Sequence, residues 1–349
     1  TGESVLLKMI PFLSGFGNVW IAYFLARELF KNSTGKVFAA AGLAAVLPVN
    51  FYISAYVSNE GFNGFLSGLS ILIAVMMFGR EKTRWGWIPL LGAVLGLALL
   101  TKFTAFVLVP VIFFFLAVKL LIFEKAGLAK TFGILGGLCL VTVMVCGWYY
   151  ARNIEHFGRP IIGNAEVISS WLFPGFHTPR YYLQFGEVFR NPYFSAYYSF
   201  WDGLYSTFWG DGFFGGMSDL RCWNYRFMSV GYLAAVPATA FLILGFFGLV
   251  RRALGKGPAL LGFQFAFLSA VIFVFLCALI YYSLKLPSCT TVKAFFGLCL
   301  IGPAAILFGL GFGATDGLLA KTRWLLPLRA VLYGWLGTFM MINIRSFPG

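Results

Sequence analysis

Charge is scarce in this sequence, and that scarcity removes the soluble reading first. Only 11% of the 349 residues are Asp, Glu, Lys or Arg, while 60% are hydrophobic and 19% aromatic. Soluble domains carry roughly 25% charged residues. No Walker loop, dinucleotide fingerprint, HExxH or GxSxG occurs, so nucleotide-driven transport, zinc proteolysis and serine hydrolysis lack their usual marks. Cysteine is sparse as well. Four of the six, Cys139, Cys146, Cys277 and Cys299, lie in apolar runs without metal-ligand spacing and read as packing residues. Cys222 and Cys289 fall in connections, where a disulfide in an oxidising compartment and two free thiols are both open. No long internal repeat is visible, which leaves the inverted halves of secondary transporters unsupported. The chain opens on Thr1, not Met, and enters an apolar run without a signal peptide's basic start and cleavage site. Its natural beginning is therefore expected upstream.

What the sequence does have is apolar runs of membrane-crossing length, about 20 residues each. Ten expected spans cover Val5 to Phe30, Val37 to Val57, Asn63 to Gly79, Trp87 to Leu100, Phe103 to Leu121, Thr131 to Tyr150, Gly231 to Val250, Ala259 to Tyr282, Val292 to Gly313 and Trp324 to Ile342. The expected fold is thus all-α and polytopic. It divides into six N-terminal spans over residues 1–150, a loop subdomain over 151–230, and four C-terminal spans over 231–349. The fourth span is short and fits only if it ends below the surface, at a polar cavity, because lipid-exposed irregular backbone leaves peptide groups unpaired.

The basic residues set orientation. With a formal net charge of +14, a soluble chain would suggest nucleic acid, but these cations sit mostly in short loops between apolar runs, so no nucleic-acid partner is expected. One set of short connections holds fifteen Lys and Arg, from Arg27 to Arg329, and the alternate set holds three, Lys102, Lys285 and Lys293. Lysine and arginine are retained in the cytoplasm, which places the first set inside and both ends of the chain outside. On that count Asn32-Ser33-Thr34, a glycosylation acceptor by pattern, lies on the wrong side. The 151–230 stretch lies outside and carries FSAYYSFWDGLYSTFWGDGFF from Phe194 to Phe214. Helices lying in the headgroup layer and a small folded core are both compatible with it. Gly92/Gly96 and Gly309/Gly313 have the small-xxx-small spacing that permits close helix approach, a spacing that 41 glycines also produce by chance.

Three polar groups interrupt the apolar pattern on the outer side, where a charge at the membrane edge demands a reason. Ser58-Asn59-Glu60 ends the second span; Glu60 is suited to general-base work, cation binding or orienting a hydroxyl, or to capping the next helix. Thr101-Lys102 follows the fourth span, and Lys102 either meets a lipid phosphate or snorkels to the headgroups. Trp148-Tyr149-Tyr150-Ala151-Arg152-Asn153 follows the sixth span. Its guanidinium suits a phosphate, though a plain interfacial anchor reads the same. Glu155, His156, Glu166, His177, Arg180, Asp202 and Asp211 complete the outer candidates.

At these residues the sequence resembles a known superfamily. VSNEGFNGFLSGLSILIAV, GLALLTKFTAFVLVPVIFFF, WYYARNIEHFGRP and YYSLKLPSCTTVKAFFGLCLIGPAAILFGLG resemble bacterial glycosyltransferases related to protein O-mannosyltransferases and the lipid A aminoarabinose transferase, which share the C-type (GT-C) fold. The resemblance implies a polyprenyl-phosphate sugar donor, an acceptor that is a lipid, glycan or protein, an outer-face site, inversion at the sugar carbon, and a bacterial cytoplasmic membrane, although an endoplasmic reticulum membrane satisfies the same physics. It implies that the opening of this chain is the family's second helix, so that the first helix and its acidic outer loop, which supplies the principal base, precede Thr1. It places Glu60 in the second outer loop, where related oligosaccharyltransferases hold a divalent metal, Lys102 in the family's LTK position and Arg152 with Asn153 in its RN position. Glu60 and Lys102 are the expected catalytic residues, and Asn59, Arg152, Asn153 and Lys293 the expected substrate-binding ones. Replacing Lys102 or Arg152 is expected to lower turnover more than folding. Two other functions stay open: a lipid or polysaccharide transporter, which needs a polar path that the inner halves of the spans lack, and a non-catalytic membrane scaffold subunit.

Overall fold

The computed structural model describes residues 2–31, 33–162, 178–212, 224–255, 257–286 and 291–346, and contains no strand among them. Long helices occupy all ten expected regions. They are α1 (Gly2–Leu29), the pair α2 (Thr34–Val46) and α3 (Pro48–Ala55), α4 (Asn59–Phe78), α5 (Trp87–Thr101), α6 (Leu108–Val118), α7 (Leu128–Phe157), and, after the outer segment, α11 (Tyr225–Leu254), α12 (Ala259–Lys285), α13 (Ile301–Ala320) and α14 (Leu326–Ser346). Seven of these regions are long and apolar enough to cross a membrane, or eight if α2 and α3, bent by 41°, form one span. The bend falls at Leu47–Pro48, where proline lacks the N–H that would continue the helix. The two remaining regions explain the difference from ten. Helix α5 has 15 residues, and α14 carries Arg329, Asn343 and Arg345 among its apolar residues.

Two of the boundaries that differ from the sequence expectation do so for one reason: helices continue beyond their apolar stretch. Helix α7 runs past Tyr150 to Phe157 and stops at Gly158, which takes the left-handed φ of 70° that glycine tolerates and donates to Ile154 O. Helix α11 begins six residues before Gly231, with Asn224 as its side-chain cap.

Close packing carries the helix contacts. On α13, a Cβ at Gly311 would fall 2.0 Å from Phe241 O of α11, and one at Gly245 of α11 would fall 1.8 Å from Leu307 O of α13. The two backbones touch reciprocally, as small residues allow. Gly92 and Gly96 seat α5 against Val141 and Val145 of α7, and Gly309 and Gly313 seat α13 against Lys36, so both small-xxx-small pairs lie at interfaces.

The connections rich in Lys and Arg gather at one end of the bundle, the basic face. There Lys119, in a π-turn (Lys119–Phe123), is fully buried and donates to the Arg80 carbonyl oxygen. Glu124 accepts from Thr83 N at 2.8 Å and Thr83 Oγ1 at 2.6 Å. Arg80 also pairs with Glu28 at 3.8 Å.

The opposite face carries the segment between α7 and α11, with short helices α8 (Pro179–Leu183) and α9 (Glu187–Arg190) and the longer α10 (Phe200–Trp209). Tyr181, Phe200 and Val292 form a small core, while Leu183, Phe185 and Trp201 stay exposed. Asp202, completely buried, fixes it by accepting from Gly186 N and Val188 N at 3.0 Å and Ser199 Oγ at 2.7 Å. Tyr52 of α3 donates to Thr207 O at 2.7 Å, and Thr207 Oγ1 accepts from Ala294 N at 2.8 Å. These bonds seat α10 on the membrane helices.

Candidate active site at the outer end of an apolar cavity

Beneath α10 lies a cavity of about 1370 Å³. Its walls are the outer halves of α11, α12 and α13, down to Thr239, Ile272 and Leu307, together with α5 and the end of α7. From Ile272 to Leu286, the residue that follows α12, this wall advances by fourteen residue steps, roughly 21 Å at 1.5 Å per helical residue, which is well over half a hydrocarbon core. Leu276, Leu279, Phe208, Leu242 and Leu300 make it apolar for most of that depth.

Polar groups collect at one end. Helix α5 stops at Thr101, and Lys102 turns to extended backbone (φ −160°, ψ 136°) before a 3₁₀ turn, Phe103–Val107. That break is why a 15-residue helix suffices here: the irregular backbone borders the cavity rather than lipid. The Lys102 ammonium forms an ion pair with Glu60 and lies 4.9 Å from the centre of the Phe296 ring. The two side chains are only 16% and 12% exposed, so the attraction is far less screened than at an open surface. Asn59 donates to Thr101 O at 3.2 Å, and Asn63 to Thr104 Oγ1 at 3.2 Å. Across the cavity Asn153 is buried and donates to Pro160 O at 3.0 Å, and Tyr150 donates to Leu99 O at 2.8 Å.

Of the six expected site residues, the fold brings Glu60, Lys102, Asn59 and Asn153 to this cavity. Arg152 is exposed and does not line it, because successive helical residues project about 100° apart and Asn153 takes the inward direction. Lys293 sits beside the lining residue Ala294, its ammonium 5.2 Å from the centre of the Phe295 ring. Glu155, His156, Arg180, Asp202 and Asp211 are not part of the lining. Asp202 is spent on the backbone, and Tyr56 approaches the buried Asp211 at 3.4 Å. Glu166, His177, Cys222 and Cys289 lie outside the described residues.

Sequence reasoning missed the aromatic wall. Tyr205, Trp209, Tyr282 and Phe296 all line the cavity. Burial holds the Tyr205 phenol above its ordinary range, with nearby Thr239 pulling the other way, so Tyr205 is a hydrogen-bond donor, here to Tyr232 O at 2.6 Å. The signal was present in the aromatic spacing of α10, but only its contacts show that Trp201, Tyr205, Phe208 and Trp209 all border one cavity.

Among the described residues no three of His, Cys, Asp and Glu converge. Among the described residues Glu60 is the one carboxylate lining the cavity, and it is engaged by Lys102.

Residues 3–150 match the family described as dolichyl-phosphate-mannose-protein mannosyltransferase. Over 98% of its length the chain also superposes on the Archaeoglobus fulgidus oligosaccharyltransferase, solved in complex with Zn and sulfate, at a TM-score of 0.51 and 15% identity. The fold is that of the C-type glycosyltransferases. No curated protein sequence matches the chain, and the chain spans 42% of the length of the archaeal one. The multi-pass helices, the outer segment and the cavity between them are therefore parts of a C-type glycosyltransferase fold. Glu60 and Lys102 both fall within the stretch that matches the mannosyltransferase family.

Proposed function

We propose that this chain carries the donor site of a membrane glycosyltransferase that takes one sugar from a polyprenyl-phosphate carrier and passes it to a lipid, glycan or protein acceptor. The reaction is placed at the outer face of a bacterial cytoplasmic membrane. One observation carries the reading: an apolar cavity half a membrane deep ends at a single ammonium–carboxylate pair. Its shape suits a ligand with a long hydrocarbon tail and an anionic head.

The chemistry follows from the charges. The acceptor oxygen bonds to the sugar's anomeric carbon as the bond from that carbon to the carrier phosphate oxygen breaks. One displacement from the opposite face inverts the configuration. The phosphate changes from a diester with one negative charge to a monoester with nearly two, and Lys102 stabilises the increase, the kind of contribution that commonly dominates such reactions. Glu60 holds Lys102 in place and faces the proton that the acceptor hydroxyl gives up. Asn59 and Asn153 offer amide groups to the sugar hydroxyls, while Lys293 and Arg152 bear on the head from the cavity's outer edge.

The test uses the intact protein in liposomes with radiolabelled polyprenyl-phosphate sugars, against Lys102→Ala and Glu60→Gln. Transfer that falls at least about a hundredfold in both, within the range for loss of a charge-stabilising or proton-transfer group, supports the reading. Carrier binding without cleavage, across lipid, glycan and protein acceptors, would move the transporter and scaffold readings ahead.

A further inference from the structure

A second cavity, of about 520 Å³, opens at the basic face, on the opposite side from Glu60 and Lys102. It lies where α11 ends and α12 begins, with Arg251 and Arg252 on one side, Pro258, Leu261 and Phe265 on another, and Ala314 of α13 closing it. Among the described residues no carboxylate lines it.

Its arginines differ from three other cations of this face. Arg80, Lys119 and Arg329 each have a carboxylate partner, at 3.8, 3.9 and 2.6 Å. Arg251 and Arg252 have none among the described residues. Arg252 gives one donor to Gly248 O at 3.2 Å and lies 5.9 Å from the centre of the Phe265 ring, which leaves most of its fork unspent. Lys36 adds a third cation: its stem runs along Gly313, next to Ala314, within electrostatic range of Arg252. The first turn of α12 borders the same space and has no side-chain cap. Three mutually repelling cations beside an apolar wall are stabilised by an anion that brings hydrocarbon with it.

We infer that this cavity binds a phosphate-bearing anion, with the Arg251 and Arg252 forks on its oxygens and the Leu261 and Phe265 wall beneath an attached acyl chain. A planar guanidinium pairs two phosphate oxygens at once, and basic pockets between membrane helices suit anionic lipid headgroups. A free phosphate shares the head chemistry but has no use for the wall.

The experiment reconstitutes the full chain in mixed phosphatidylglycerol and phosphatidylcholine, extracts it in detergent, and reads retained lipid by native mass spectrometry. Wild type is expected to retain phosphatidylglycerol. R251Q/R252Q should retain at least about tenfold less, as for the loss of one or two charge-assisted hydrogen bonds. R251K/R252K, which keeps the charge and the topology signal, should stay within about threefold. Failure of millimolar inorganic phosphate to displace the lipid assigns the site to a headgroup. Arginine-dependent binding of inorganic phosphate without lipid retention keeps the site and assigns it to the free anion. Equal phosphatidylglycerol retention by wild type and a monodisperse R251Q/R252Q protein would overturn the inference.

Discussion

Lys102 and Glu60 are each other's counter-charge in a place with little water, so removing one exposes the other. Lys102→Ala should therefore lower stability by about 3 kcal/mol, the low end for breaking a buried pair, in addition to abolishing transfer. The sequence-level expectation of a larger effect on turnover than on folding thus gains a definite stability component. The double variant K102M/E60Q separates the two roles: its thermal midpoint in detergent should recover most of the loss while transfer stays absent, since an apolar replacement of a buried pair is commonly near neutral. A midpoint as low as that of Lys102→Ala would refute the coupling. Thr207 is a second informative residue, because its hydroxyl accepts from the buried Ala294 N–H. Thr207→Val strands that donor at a cost of about 1–3 kcal/mol and should raise KM for the proposed carrier, by freeing the 3₁₀ turn Ala294–Leu300 that holds Phe296, more than it lowers kcat. Each of the paired residues was conspicuous in the sequence, Lys102 as a lysine on a side nearly stripped of lysine and Glu60 as a carboxylate at a span's end. Their pairing was not, since they stand 42 positions apart on separate helices and nothing local sets that distance.

Helices meet here through backbone, and the α11–α13 contact has no room for a side chain on either side. Gly311→Leu should force the helices apart at a cost of at least about 2 kcal/mol, whereas Gly317→Leu, where an added Cβ meets nothing within 4 Å, should leave the thermal midpoint nearly unchanged. Equal midpoints for the two variants would sink the packing argument. On the opposite face Asp202 ties α9 to α10 through two backbone N–H groups. Asp202→Ala should make residues 178–192 sensitive to limited proteolysis while the membrane helices stay resistant. Helix existence was readable throughout, because twenty apolar residues in a row have few alternatives to a membrane helix. Helix ends were not, because polar turns such as Arg152 to Phe157 extend a helix without changing its apolar count. The bend at Pro48 was readable in principle from one residue. The assignment of Asp202 to scaffolding was not, since a carboxylate that caps a backbone and one that faces a cleft have the same sequence.

For the molecule as a whole, the short connections that hold most of the Lys and Arg lie on a single face of the folded bundle, which links topology to site: the cavity lies at the face whose short connections hold few cations. In a cysteine-free background and intact cells, Arg180→Cys should react with a membrane-impermeant maleimide and Trp85→Cys should not, both positions being exposed on opposite faces. The reverse pattern would turn the proposed reaction to the cytoplasm. The cavity has a further consequence for how such a protein experiences its substrate. Its walls are hydrocarbon down to the level of Ile272 and Leu307, so it fills from a two-dimensional oil film rather than from bulk water. For the proposed reaction, saturation is then set by the carrier's mole fraction among lipids, and diluting the membrane with inert lipid should slow it even when the molarity of every solute is held constant.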